Sequence, residues 1–275
     1  MSAATAVLAF DTLRARYRLT AQLVTVSAVR VGAGKATDIS ASDAPIMRDG
    51  RGRPFLPGSS LKGALRAGLE RVLRAIDAPQ LKTCDPLDRD RSCSARLQKM
   101  KTERQKQGDP AKADLTPDEI EAGLCVVCAL FGSSFFAGRL LVRDLSAAGD
   151  ADVFPEVRDG VGLDRDLRKA APGIKYDFEC LPPGTTFQLE VRLENPTDTH
   201  LALTLKALEL LHEGHILLGG LTSRGLGRVE LRDQKLERTD AAALLGGSGW
   251  SACDYAAEQA QAGERLTVLA QQRGE

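Results

Sequence analysis

Four cysteines stand around one polar stretch of the chain: Cys84 and Cys93, then a run rich in Lys, Arg and Gln, then Cys125-Val126-Val127-Cys128. Two thiolates separated by two residues form a natural chelating pair, and a second pair folded beside them would close a tetrahedral zinc site. The gap between Cys84 and Cys93 is wider than in a usual knuckle, so buried and unrelated thiols are the competing reading. Zinc is the better account, because the stretch between the pairs has no apolar core of its own to hold it. A zinc with four thiolate ligands would be structural, not catalytic. Cys180 and Cys253 read as small apolar residues.

The three histidines, His200, His212 and His215, gather on one amphipathic stretch, where core and helix-end roles account for them better than a catalytic pair. No G-x-S-x-G nucleophile motif is present. Gly32-Ala33-Gly34-Lys35-Ala36 fails as a phosphate loop, since Val29 stands where the first glycine belongs and Ala36 where a hydroxyl is required. The run Gly219-Gly220-Leu221-Thr222-Ser223-Arg224-Gly225-Leu226-Gly227 follows a helical pattern and precedes a strand, the reverse of the dinucleotide-binding order. Physically it is backbone able to approach a phosphodiester closely, with Ser223 and Arg224 for polar contacts. Pro57-Gly58-Ser59-Ser60-Leu61-Lys62-Gly63 sets backbone N–H groups and two hydroxyls at a helix start, an anion site, and Lys62 and Arg66 share one helix face.

The elements that must position these groups follow from periodicity. Tyr17, Leu19, Ala21 and Leu23 alternate with polar residues and predict a strand over 16–25 that continues through Val31. Leu61, Leu65, Leu69, Val72, Leu73 and Ile76 predict a helix behind Ser59 or Ser60 as N-cap. Residues 140–145 suggest a second strand, Phe187, Leu189, Val191 and Leu193 a third. Leu201, Leu205, Leu208 and Leu211 mark a second helix within 201–215, and a last strand lies near 228–232. This order, βαββαβ, is the α+β ferredoxin-like arrangement with one antiparallel sheet, also used by RRM-like RNA-recognition modules. A single domain over 1–237 then carries three long insertions, at 32–58, 78–128 and 146–185, where function is to be sought. Residues 238–275 read as a loosely held appendage.

The 275 residues include 37 Lys+Arg against 37 Asp+Glu and only 4% aromatics. That balance excludes nucleic-acid binding by bulk charge, and the scarcity of aromatics excludes a platform that stacks every base; binding through a local patch survives. The longest apolar stretch, 124–137, is broken by Gly132, Ser133 and Ser134, too short for a membrane span. The N-terminus lacks a secretory pattern, which predicts a cytoplasmic protein with no membrane partner.

Taken together, Pro57-Gly58-Ser59-Ser60-Leu61-Lys62-Gly63, Leu130-Phe131-Gly132-Ser133 and the glycine-rich run 219–227 resemble the RAMP superfamily of CRISPR systems. Ser42-Asp43-Ala44-Pro45-Ile46, and Gly162-Leu163-Asp164-Arg165 ahead of Tyr176-Asp177-Phe178-Glu179, are similar to the backbone subunit of type III effector complexes. The cysteine-bearing insertion resembles the zinc-bearing variants, type III-A or III-D-like. The resemblance implies a subunit that stacks in several copies, with related RAMP subunits and other type III effector subunits, into a helical filament along a CRISPR RNA. A complementary target RNA pairs against that guide, so base pairing reads sequence while protein grips backbone. The third insertion would be a thumb hairpin, with Arg158, Arg165, Arg168 and Lys169 for the RNA backbone and Ile174 or Leu167 as an apolar wedge. Ser59, Ser60, Lys62, Arg66, Arg48, Gly219, Gly220, Ser223, Arg224 and Gly225 complete the expected RNA-contacting set.

The resemblance further implies an endoribonuclease that cuts the target once per subunit through an aspartate of the first insertion. Asp43 matches by its place before Ala44-Pro45-Ile46, Asp38 is the competing candidate, and Asp49 reads as a turn residue before Gly50. An ordinary aspartate is a weak base at neutral pH, so its role would be to help hold a divalent Mg or Mn ion or to orient the attacking 2′-hydroxyl. The products would be a 2′,3′-cyclic phosphate and a 5′-hydroxyl. A non-catalytic scaffold of the same complex, and a CRISPR RNA processing endonuclease, are the other readings.

Overall fold

The computed structural model describes residues 10–34, 42–76, 78–106, 114–148 and 153–272. Its central sheet is built from β1 (Arg16–Thr25), β3 (Leu140–Val142), β7 (Thr186–Glu194), β8 (Val229–Thr239) and β9 (Ser251–Cys253), in the order β3-β7-β1-β8-β9. All neighbours are antiparallel. Without β9 this is the strand order of the ferredoxin-like fold, and the fold class is α+β as the periodicity predicts. The sheet's apolar side is continuous across strands, with Leu19 opposite Val191, Ala21 opposite Leu189 and Leu23 opposite Phe187. Leu23 and Phe187 are fully buried.

The helices α1 (Gly58–Ile76) and α5 (Asp198–Glu213) cover that side. Leu61, Leu65, Leu69 and Leu73 of α1 face the core as their spacing dictates, while Val72 stays exposed. A capping box between Thr197 and His200 starts α5, and Gly214, at φ 84°, ends it.

Three expectations change. The first strand stops at Thr25, where the N–H groups of Val26 and Ser27 both turn to the Arg228 carbonyl. The last strand runs to Thr239 instead of ending at Arg232: Asp233, at φ 53°, forms a bulge that lets Leu231 and Leu236, five residues apart, both reach the core. The C-terminal residues are not loosely held. β9 pairs with β8, and α7 (Tyr255–Gln271) packs on α5, burying Ala262 and Leu269. A short α6 (Ala241–Leu245) joins the two strands.

The insertions carry structure of their own. The first ends in β2 (Phe55–Leu56), paired with β4 (Leu145–Ser146). The second folds into α2 (Cys93–Lys106), α3 (Pro117–Ala122) and α4 (Val126–Phe131). The third is a hairpin of β5 (Glu156–Leu163) and β6 (Ala170–Cys180). Among the described residues no helix is long and apolar enough to cross a membrane.

Candidate functional site

Asp43 is exposed on a segment held from two sides. On one side residues 45–47 form a short antiparallel ladder with 31–33: the Ala33 N–H donates to the Pro45 carbonyl at 2.9 Å and the Met47 N–H to the Val31 carbonyl at 3.0 Å. On the other, β6 presents Asp177 and Glu179, two residues apart and so on one strand face. Asp177 Oδ1 accepts from the Ser42 hydroxyl and from the Asp43 N–H, both at 2.7 Å, and the Asp177 N–H donates to Asp43 Oδ2 at 3.1 Å. Those bonds, the Ser42 hydroxyl foremost, hold the Asp177 carboxyl below its ordinary range. Glu179 Oε2 accepts from the Ile46 N–H at 3.1 Å, while Oε1 pairs with Arg48 at 3.1 Å.

The second oxygen of Asp43 has no partner among the described residues. Asp38 lies outside the described residues. Asp49 is a turn residue as read: its carboxylate takes the N–H groups of Arg51 and Arg53, each at 2.9 Å.

The glycine-rich run meets this segment on a small satellite core of Ala28, Phe178, Cys180 and Leu226, against which Ala44, Tyr176 and Leu221 pack. Gly219 abuts Arg30 so closely that a Cβ would sit 2.2 Å from the Arg30 carbonyl oxygen, which accepts the Gly220 N–H at 2.8 Å. The close approach predicted for a phosphodiester is, at Gly219, an approach to the protein's own backbone. Ser223, Arg224 and Gly225 remain exposed at the tip. Arg224 hydrogen-bonds the Tyr176 hydroxyl and lies 5.9 Å from its ring centroid. Tyr176 can cross its neighbouring strand only because residue 160 is glycine: a Cβ there would lie 2.3 Å from the tyrosine ring.

The helix start behaves differently from the anion site expected. Asp144 fills it, accepting the Gly58 N–H at 2.8 Å, and Ser59 and Ser60 are not the cap. Lys62 and Arg66 do share a face, but it turns inward. Lys62 Nζ donates to the Leu140 carbonyl at 2.7 Å, and burial, reinforced by Arg66, pulls its pKa down. Arg66 donates to Glu70, to the Gly132 carbonyl and to the Cys128 sulfur. Arg48 is likewise engaged, by Glu179 and the Gly52 carbonyl. Arg165 and Lys169 stand exposed at the hairpin tip, closed by an Asp164 N–H bond to the Lys169 carbonyl at 2.8 Å.

The four cysteines of the second insertion do meet. The ligand atoms of Cys84, Cys93, Cys125 and Cys128 all lie within 4.8 Å of one another. Sulfur–sulfur distances are 3.5 Å for Cys84–Cys128 and 3.8 Å for Cys84–Cys125. A tetrahedron with metal–sulfur bonds of ~2.3 Å has edges of about 3.8 Å, so the set has the size of a four-thiolate metal site. Cys125 caps α4 and its thiol is held down at about 6, chiefly by hydrogen bonding from Cys128. Arg66 and Arg96 point N–H groups at Cys128 and Cys93, at 3.3 and 3.2 Å. Four thiolates this close would repel one another, so the set would shed its protons only in exchange for a cation, and the two guanidiniums would offset the remaining negative charge. No other group of three or more such ligands occurs among the described residues.

Two of the three histidines hold structure. His200 Nδ1 accepts the Thr197 N–H at 3.3 Å, and His212 Nδ1 accepts the Leu231 N–H at 3.0 Å. The sequence reading missed Asp177 and Glu179 as loop anchors; two acids two apart on a strand was the available signal, but it does not say what they bind.

A profile described as the RAMP superfamily matches residues 22–230. The chain is 26% identical over 238 residues to the CRISPR system Cms endoribonuclease Csm3 of Methanocaldococcus jannaschii, covering 82% of each chain. It is 25% identical over 266 residues to the protein of the same description from Methanothermobacter thermautotrophicus, covering 86% of this chain and 91% of the other.

Proposed function

The chain belongs to the RAMP superfamily, and on that premise we propose that it is a backbone subunit of a type III CRISPR effector complex. It binds CRISPR RNA, stacks with copies of itself or related subunits, and cuts complementary target RNA. The observation that carries the catalytic part is Asp43: an exposed carboxylate with one oxygen fixed by the Asp177 N–H and the other free of protein partners among the described residues. Similarity to two proteins described as CRISPR endoribonucleases supports the same reading.

In this reading the reaction is attack of a ribose 2′-hydroxyl on its own phosphate, with the 5′-oxygen leaving. Asp43 accepts the hydrogen bond of that hydroxyl and orients it. Asp177 and Glu179 are positioning residues, fixing the loop before RNA arrives. Mg or Mn, when bound, would supply charge neutralisation at the phosphate, with Asp43 the protein group placed to share it. Zinc is the proposed occupant of the Cys84, Cys93, Cys125 and Cys128 set. RNA backbone contacts fall to Ser223, Arg224, Gly225, Arg165 and Lys169. The structural bonds of His200 and His212 leave only the exposed His215 for a stand-alone processing nuclease.

The test is cleavage of complementary RNA by the assembled complex. Asp43→Ala is expected to lower the rate at least 100-fold, with RNA binding unchanged. If Asp43→Ala and Asp38→Ala both cut like the parent, the subunit is a scaffold.

A further inference from the structure

Among the described residues Arg30 is a cation without an acceptor. Its Nε is buried and has no hydrogen-bond partner, and no guanidinium nitrogen of Arg30 bonds another described residue. The group lies over Gly32, where a Cβ would come within 3.0 Å of its Nη2, and 3.7 Å from the Cβ position of Gly220. The nearby ionisable side chain is Cys180, a thiol whose pKa burial raises, so it supplies no negative charge. Burying an Nε–H without an acceptor costs free energy, while the two Nη groups are not buried and so are free to take an outside acceptor.

Its surroundings say which kind. The glycines on both sides leave the guanidinium accessible to a bulky anion, and the fork suits phosphate oxygens. Gly32, over which the guanidinium lies, pairs with Ile46 across the ladder that carries the Asp43 segment, three residues along the chain from Asp43. We infer that Arg30 binds a phosphate of the RNA strand at Asp43, in a slot between Gly32 and the Gly219-Gly220 turn. The inference rests on the proposed RNA function and adds a residue that no RNA-binding motif of the sequence includes.

Two measurements on the purified chain test it: binding of a short fluorescein-labelled single-stranded RNA across a salt series, and thermal melting without RNA. Arg30→Met should weaken binding about tenfold and reduce the log–log salt slope by about 0.7. It should leave the melting temperature of the free chain unchanged or raise it, because the side chain has no protein partner to lose. Arg30→Lys should restore the slope but only part of the affinity. Parent-like affinity and slope in Arg30→Met, or a melting temperature that falls with affinity, would overturn the inference while leaving the RNA function standing. A parent chain that binds no RNA, alone or assembled, overturns both.

Discussion

His200 is nine-tenths or more enclosed, with 5% of its surface exposed, and burial, reinforced by the charge of Arg139, lowers its pKa to about 4 from an ordinary value near 6.5. The neutral ring is what the fold uses, since Nδ1 must accept the Thr197 N–H. The unfolded chain takes up a proton below pH ~6.5 and the folded chain only near 4, so this contribution to stability is present above 6.5 and is lost as pH falls towards 4. Between pH 7.5 and 5 the loss is about 2 kcal/mol. His200→Gln keeps a capping-box residue without the titration, and urea midpoints at the two pH values should differ less in that variant than in the parent. Asp43 is the opposite kind of residue, exposed and with its own hydrogen bonds made to a distant strand. That is why its type and local motif were legible while its geometry was not: the bonds to Asp177 span 134 residues.

At the scale of elements, periodicity revealed what regular burial dictates. The α1 stripe and the β7 alternation are written in residue order, because each buries one face along its whole length. β8 was half legible, since the bulge at Asp233 breaks the alternation that a regular strand would keep. The cysteine lobe was legible as a metal site from spacing, but the bonds of Arg66 to Glu70, Gly132 and Cys128 were not, because helical spacing gives a shared face and not the side to which it turns. The lobe's α2, with buried Cys93 and Leu97 and otherwise little apolar surface inside, depends on the thiolate set for its position. Chain purified without added metal should carry about one zinc, and a Cys125→Ser/Cys128→Ser variant should carry none. Limited proteolysis of that variant should cut within 84–128 while the sheet's circular dichroism persists; a metal-free parent would refute the assignment.

Over the whole molecule, the equal count of acids and bases has a structural counterpart. The sheet face opposite α1 and α5 carries Arg16–Glu194 and Arg18–Glu237 at 2.8 Å and Arg143–Glu190 at 3.0 Å. Exposed pairs of this kind add little stability. They do neutralise the surface that RRM-like modules use for stacking, and Trp250 lies under Arg18 at 4.4 Å. On the proposed function, this leaves the edge where the loops, the hairpin root and the glycine turn meet as the surface for RNA. The C-terminal helix completes the opposite layer: Leu269→Ala should cost about 2–3 kcal/mol and lower the melting temperature by about 5 °C, measurable by calorimetry. The clasp of Asp43 by β6 has a mechanical meaning. β6 is one arm of the long hairpin, and its last residues are rooted in the satellite core, so the hairpin and the acid share one anchor. If Asp43 makes the cut, as proposed, anything that tilted the hairpin's far end would shift the carboxylate at its near end.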